Sequence, residues 1–554
     1  MNKVSLFALF IIAFSVFACN QEPQTTVFYN ANGYTLTSNV LESFSVMAVQ
    51  GDEIVYVGDD KSAVENAGKE IDLEGKTVLP GLIDAHGHIM GLGYNRLDVD
   101  LAGIASKKET LEKLAEYAEA NPESEWIRGR GWNHTRWDDT NDFPTASDLD
   151  AVLNDKPVWL SRVDGHAVWV NSKAMNMAGI SKETVAPQGG KIIKDGNGEP
   201  TGILVDKAMN LVGKYLPQRT DEDRRKALEL ALEEMRRMGL TSVHDARIDI
   251  DTFELFKEFA REGKLTTRIH AMIGGTGKVF DKISANGPMK WNADNTLSVM
   301  SVKLYEDGAL GSRGAAMIEP YHDEPSHSGL LFYEEDTLFA QAKKAADKGY
   351  QVNIHAIGDQ ANRTVLDVFE RLREEEEPGQ DLRHRIEHAQ VVALEDIPRF
   401  SENNIIASMQ PTHATSDMNM AEDRVGPDRI KGAYAWNRFK EAGVLIAGGS
   451  DFPVEYSNPF FGLYSAVTRK DHQGQPPGGW YSDQALSRAG ALALFTQNAA
   501  YSGYQEATVG RLEEGYKADF IVIDRDYFTI PDGDIFGTQV EQTWMNGEKV
   551  YQRD

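Results

Sequence analysis

Cysteine is all but missing. Cys19 is the only one in 554 residues, which excludes an internal disulfide, a thiolate zinc site and a cysteine nucleophile. Any metal held by this chain must therefore be bound through nitrogen and oxygen. Basic residues are also in short supply. Lys and Arg number 57 against 85 Asp and Glu, giving a formal net charge of −28. Such an excess repels a phosphate backbone, so no nucleic-acid partner is expected. Low-complexity tracts are absent, and 41% hydrophobic with 26% charged residues is the composition of a soluble globular protein. The acidic run Glu374 to Glu377 reads as a solvated helix end without a function.

The longest apolar run at the N-terminus, Leu6 to Ala18, follows a single basic residue, Lys3. It is short for a bilayer span and suits the core of a signal peptide. It ends in Val16-Phe17-Ala18-Cys19, which resembles the lipobox of bacterial lipoproteins. That resemblance implies a signal peptide over residues 1–18 and a lipid-modified Cys19. The expected location is the cell envelope, membrane-anchored and facing the periplasm or the cell surface.

Beyond a polar tether the chain is strand-rich at both ends. "SVMAVQGDEIVYVG" (Ser45 to Gly58) reads as a hairpin turning at Gly51-Asp52, and "VEQTWMNGEKVYQ" as another turning at Asn546-Gly547. A small composite β-sandwich from residues 26–78 and 503–552 is the economical arrangement. Between the ends, eight short apolar runs alternate with helical patterns. They are Leu79 to His86, Leu240 to Asp245, Thr267 to Met272, Ser301 to Glu306, Gln351 to Ala356, Arg385 to Ala389, Ile405 to Gln410 and Val444 to Gly448. Eight strand–helix units predict an α/β fold, a TIM (β/α)8 barrel over residues 79–502. A long insertion, residues 96–239, follows the first strand. It closes with an amphipathic helix over Asp223 to Met238 and is expected to cover part of the barrel mouth.

Barrel chemistry gathers where strands end at their C-terminal side. Those ends carry His86 and His88 in "LPGLIDAHGHIM", Lys303, His355, His388 and Asp451. In a strand, positions i and i+2 share a face, so His86 and His88 project together. Any one of the six could be an ordinary hydrogen-bonding group. Six at matching positions point to a divalent cation.

In combination, "GLIDAHGH", "RGRGWNHTRW", "DGHAVWVNS", "GEPTGIL", "KLYEDGALGSRGA", "IHAIGD", "RIEHAQ", "GSDFPV" and "GRLEEGYKADFIVID" resemble the amidohydrolase superfamily. The match is to its amidohydrolase-3 branch, the YtcJ-like or N-substituted formamide deformylase-like proteins. The resemblance implies a TIM barrel, a composite β-sandwich and hydrolysis of a non-peptide carbon–nitrogen bond in an amide, N-acyl or N-formyl substrate. By that resemblance His86, His88 and Asp451 hold the more buried metal and His355 and His388 a second. Lys303 stands where many relatives carry a carboxylated lysine bridging two ions, while mononuclear relatives need only one. Asp206 stands where the branch commonly has glutamate.

Zinc is the expected ion for such ligands. A bound divalent ion polarises the scissile carbonyl and lowers the pKa of water from about 15.7 towards roughly 7. Asp451 is then the general base that becomes the acid for the departing nitrogen. His166 is the candidate oxyanion partner, or else a structural loop histidine. Arg313 is a candidate to pair with a substrate carboxylate, or braces Asp307. Trp132 and Trp137 either wall the pocket or pack, and Asp359 is placed to orient a metal ligand. No catalytic role is assigned to His134, His244, His270, His322, His327, His384, His413 or His472. The expected partners are a small amide and, through the anchor, a membrane; a homodimer is compatible with the sequence. A lactone or ester hydrolase on the same site, and a catalytically silent binding lipoprotein, are the competing functions.

Overall fold

The computed structural model describes residues 24–37, 40–64, 68–187, 189–375 and 380–554. The expected signal peptide (1–18) and Cys19 lie outside the described residues. Among those residues no helix is long and apolar enough to cross a membrane.

The barrel strands are β1 (Leu82–Gly87), β2 (Leu240–Ile248), β3 (Arg268–Gly274), β4 (Leu297–Tyr305), β5 (Gln351–Ala356), β6 (Arg385–His388), β7 (Ile406–Met409) and β8 (Ile446–Gly448). They form one parallel sheet in sequential order, as the strand–helix alternation predicts. The sheet closes by a seam between β1 and the residues after β8. Asp451 N donates to His86 O at 2.7 Å, and the buried Asp84 carboxylate accepts from Ser450 N (3.1 Å) and Ser450 Oγ (2.6 Å). Gly449 permits this contact: a Cβ there would lie 2.6 Å from His86 N and 2.7 Å from Asp84 Oδ1.

Alternate strand positions turn polar groups into the barrel. His244, His270, Lys303, Arg385 and Glu387 are all buried and bond one another, nearby hydroxyls or, for Lys303, His86. Arg385 meets His244 Nδ1 at 3.0 Å and Glu387 at 2.8 Å. His270 meets Ser298 and Ser301 Oγ at 2.8 and 2.9 Å. Burial without such partners would cost each group several kcal/mol, on the order of 2–7.

The first strand begins later than its apolar run suggests. Thr77–Pro80 pairs antiparallel with Phe520–Ile523 in a separate six-stranded sheet, so Leu79 and Pro80 belong to the terminal β unit. That sheet and a four-stranded sheet containing Thr25–Tyr29 share one core. Phe28 sits 5.0 Å from both Phe520 and Trp544, ring centre to ring centre. The strands of this sandwich run from Thr25 to Pro80 and from Phe520 to Gln552. Asn546 and Gly547 both take positive φ, 53° and 72°, as a tight hairpin turn requires. Buried Arg268 ties the unit to the barrel through Asp519, at 2.7 and 2.9 Å.

The insertion holds more structure than its terminal helix. Residues 99–206 build a mixed six-stranded sheet with two apolar clusters of its own. Helix α2 (Asp221–Arg237) then returns to the barrel. Thr220 Oγ1 accepts from Asp223 N at 3.1 Å and Asp223 accepts from Thr220 N at 3.0 Å, a capping box that starts the helix. Its buried face, with Ala227, Leu228, Ala231, Leu232 and Met235, lies against α1 (Ile89–Leu97). A Cβ on Gly93 would lie 2.0 Å from Ala227 O. This close approach fixes α1, whose N-cap is His88.

Candidate metal centre and active site

Five of the six strand-end residues surround one point at the barrel mouth. His86 is wholly buried and gives Nδ1 to the Glu387 carboxylate. Its Nε2 therefore faces the cavity, 3.6 Å from Asp451 Oδ1. His88 Nε2 approaches the same oxygen at 3.1 Å. His388 gives Nδ1 to Gln410 Oε1 at 2.8 Å, which leaves its Nε2 free too. Its ring lies 4.8 Å from His86 and 4.6 Å from His355. Lys303 Nζ donates to His86 Nε2 at 3.2 Å.

Both mouth residues that turn the chain here, His388 and Asp451, are in the left-handed region, with φ of 76° and 60°. Non-glycine residues hold such angles at a cost of order 1–3 kcal/mol, and they cluster at functional sites. On β6 this turn brings His388 towards the mouth although its neighbour Glu387 points inward.

Electrostatics favour metal-ready protonation states. Burial and Lys303 push His86 down to about 4, against the opposing pull of Glu387 and Asp451. Burial pushes Lys303 down to about 8. Burial also holds His388 well below the usual histidine range. For Asp451 burial opposes ionisation, but His86, His88 and His388 outweigh it and hold the carboxyl well below the ordinary range. For Glu387, burial is likewise outweighed, by Arg385 and His86, and the pKa falls to about 2.

A cation fits this donor set. Asp451 Oδ1 is buried and makes no hydrogen bond of normal geometry, although two imidazole nitrogens flank it. Ligand atoms of His86, His88 and Asp451 lie within 4.8 Å of one another. Imidazole nitrogens gathered around a buried carboxylate oxygen are a donor set that suits zinc or a similar ion.

A second group of the same kind was missed from sequence. His388, His413 and Asp451 also lie within 4.8 Å of one another, and buried His413 Nε2 has no hydrogen-bond partner. It stands 3.8 Å from Asp451 Oδ2. His413, given no catalytic role from the sequence, lines the cavity, because the helix Pro411–Asp417 directly after β7 carries it there. Its only signal is its place three residues past a strand end. Glu387 was missed as well, although the alternation on β6 places it inside the barrel with Arg385. His355 is buried near His388, but its Nε2 lies 3.4 Å from Asp307 Oδ1.

The insertion closes the other side of a cavity of about 1080 Å³. His166 lines it and gives Nδ1 to Asp206 Oδ1 at 2.7 Å. Burial alone would lower the pKa of His166; Asp206, Asp164 and Asp307 reverse this and raise it. Its ring is 6.4 Å from that of His355, so it faces the mouth rather than a distant loop.

Three other expectations are overturned. Trp132 does not wall the pocket: it is 0% exposed, gives Nε1 to Leu160 O at 2.7 Å and belongs with Trp137 and Trp169 to the insertion's core. Arg313 neither lines the cavity nor braces Asp307. It is held by Asp323 at 3.2 and 2.9 Å, while Asp307 accepts from Ala316, Ile357 and Gly358 N at 2.8–2.9 Å. Asp359 touches no candidate ligand and instead accepts from Ile318 N at 2.8 Å.

A (β/α)8 barrel with a cluster of histidine and aspartate at its mouth is an arrangement that can hold a divalent cation. Residues 69–551 match the amidohydrolase family, and the chain belongs to it. YtcJ of Bacillus subtilis (strain 168) is 36% identical over 88% of this chain and 91% of its own. N-substituted formamide deformylase of Arthrobacter pascens is 27% identical over 95% and 98%. The solved structure of an uncharacterized metal-dependent hydrolase from Pyrococcus horikoshii superposes with a TM-score of 0.75 at 30% identity, covering 92% of this chain and 99% of that one.

Proposed function

We propose that the chain hydrolyses a non-peptide carbon–nitrogen bond in a small amide, an N-acyl or N-formyl amine foremost. The observation that carries this is the approach of His86 and His88 to one oxygen of Asp451, at 3.6 and 3.1 Å. The name of the Arthrobacter relative, a formamide deformylase, supports the bond type. When bound, a divalent cation, zinc by ligand chemistry, supplies Lewis acidity at the carbonyl and to water.

The chain's own groups do the rest. Asp451 accepts a proton from the attacking water and returns it to the departing nitrogen, so an amine leaves instead of its anion. Glu387 keeps the His86 proton on Nδ1. Lys303 must stop donating to His86 Nε2 before that nitrogen can serve as a ligand, and carboxylation of Lys303 would achieve this. His166, held by Asp206, faces the developing oxyanion as a hydrogen-bond donor. A second position borders His388; carboxylated Lys303 with His355, or His413, would complete it. Cys19 is proposed to anchor the enzyme in the cell envelope, tested by loss of lipid labelling in Cys19→Ser.

The deciding experiment measures metal content and then turnover of paired formamides, acetamides, esters and lactones, with and without chelator. Metal-dependent amide hydrolysis is expected. Ester or lactone turnover alone would move the proposal to that bond, and metal-free protein with unchanged ligand binding would leave a binding lipoprotein.

A further inference from the structure

Branched apolar side chains usually fill the interior of such a barrel, yet β6 sends Arg385 into it, wholly buried. Its guanidinium spans the ring of strands. Nη1 donates to His244 Nδ1 of β2 at 3.0 Å, and Nη2 to Ala85 O of β1 at 2.7 Å and to Ser408 Oγ of β7 at 2.9 Å. Nη2 also lies 2.8 Å from Glu387 Oε1 on β6 itself. Two of these contacts lead to His86. Ala85 O belongs to the peptide bond directly before that histidine, and Glu387 accepts from its ring Nδ1. One side chain thus grips both the backbone and the imidazole of a candidate ligand.

His244 holds the far end of this brace. A guanidinium has no acceptor, so His244 Nδ1 accepts and the ring proton sits on Nε2. Burial, with His270 and Arg385 nearby, holds the ring well below the usual histidine range, which keeps it neutral and able to accept. Gly503 makes room for it: a Cβ there would stand 2.5 Å from His244 Nε2. His270 is a natural comparison. It is equally buried, with its ring 5.0 Å from that of His244, but its nitrogens meet Ser298 and Ser301 rather than Arg385.

Stability is a weak reason to keep such a brace, because apolar residues of similar volume often replace buried ion pairs without loss. Orientation is a stronger one: a metal-binding imidazole must hold its tautomer and its angle. We infer that Arg385 and His244 are positioning residues for the metal centre, His244 fixing the guanidinium and the guanidinium fixing His86 at its peptide and its ring. The inference rests on the reading of His86 as a metal ligand. It makes β2, which supplies no ligand in that reading, part of the centre.

The test uses the full chain and two measurements. Zinc affinity is read by competition with a chromophoric chelator. The His86 tautomer is read in metal-free protein from its ring-nitrogen NMR shifts, assigned by their loss in His86→Gln. His244→Leu cannot accept from Arg385, whereas His244→Asn offers Oδ1 in place of Nδ1. Ser408→Ala loosens the guanidinium from β7, and His270→Asn is the control. His244→Leu should weaken zinc binding about tenfold, the lower end for an outer partner of a ligand, and mix the two tautomers of His86. His244→Asn should recover most of that affinity. Ser408→Ala should lose a smaller part, which keeps the test alive should His244→Leu fail to fold. His270→Asn should lower unfolding stability and leave zinc affinity and the His86 tautomer unchanged. Equal zinc affinity in wild type, His244→Leu and Ser408→Ala overturns the brace and leaves the hydrolase reading standing. An equal loss in His270→Asn overturns it as well, because the effect would then be one of interior packing. If wild type binds no zinc, the metal reading fails, and the tautomer alone judges the brace: unchanged in His244→Leu, it falls too.

Discussion

Replacing Glu387 by Gln changes one atom and tests the support beneath the metal centre. The carboxylate is buried between the His86 imidazole and the Arg385 guanidinium. The glutamine keeps the shape but removes the charge, and two consequences follow. Arg385 is left as a buried cation without its counter-ion, and breaking a buried pair in this way costs about 3–5 kcal/mol. His86 loses the charged acceptor that orients its ring, and removing such a partner lowers metal affinity about 10–100-fold. The first loss should appear in denaturant unfolding of metal-free protein, and the second in competition with a chromophoric chelator. Acid adds an independent handle. The Glu387 pKa is depressed to about 2, so its stabilisation is present above the ordinary glutamate range near 4.3 and is lost as pH falls towards 2. Wild type and variant should therefore converge in stability between about pH 4 and pH 2. An unfolding free energy within about 0.5 kcal/mol of wild type at pH 7, below the range of a broken buried pair, together with unchanged zinc affinity would refute this reasoning.

Asp451→Asn should abolish amide turnover while circular dichroism stays that of wild type; near-normal kcat would remove Asp451 as the proton carrier. Trp132→Ala should destabilise by about 3–5 kcal/mol, as for other large core aromatics, with the ranking of substrates unchanged in a competition assay. Arg313→Ala breaks a partly exposed contact with Asp323 and should cost no more than about 1 kcal/mol, with KM unaltered. Removing metal with a chelator should lower the melting temperature, and restoring zinc to about 100 times its Kd should return about 2.7 kcal/mol. A melting curve indifferent to chelation would deny the site a tightly held ion.

The barrel was legible because each of its strands is a short apolar run followed by a helical pattern, and because polar residues recur where those runs end. The register of the first strand was not. Thr77 to His86 is almost continuously apolar, and nothing in hydrophobicity marks the change from sandwich to barrel at Gly81. Close packing explains that glycine: its Cβ would strike the Thr241 side chain at 2.3 Å. The insertion's sheet escaped notice because its strands are brief and broken by glycine, as in Ile127–Trp132. Single residues failed for a related reason. Trp132 and Arg313 resemble ligand-binding residues by type, yet the role of Trp132 is decided by Leu160 and Trp169, distant in sequence, and that of Arg313 by Asp323, ten residues on. His413 sits in no pattern a strand-by-strand count would select, and only the helix after β7 brings it to Asp451.

The seam between β1 and the segment after β8 joins Asp84 to Ser450, 366 residues apart. His86 and Asp451 flank that same joint, so the first and last contributors to the centre meet only when the ring is complete. During synthesis, an ion arriving early would find the His86–His88 pair alone, which is a weak chelator. The complete ligand set therefore exists only in the closed barrel, and the seam contacts of Asp84 and Ser450 hold its two ends together.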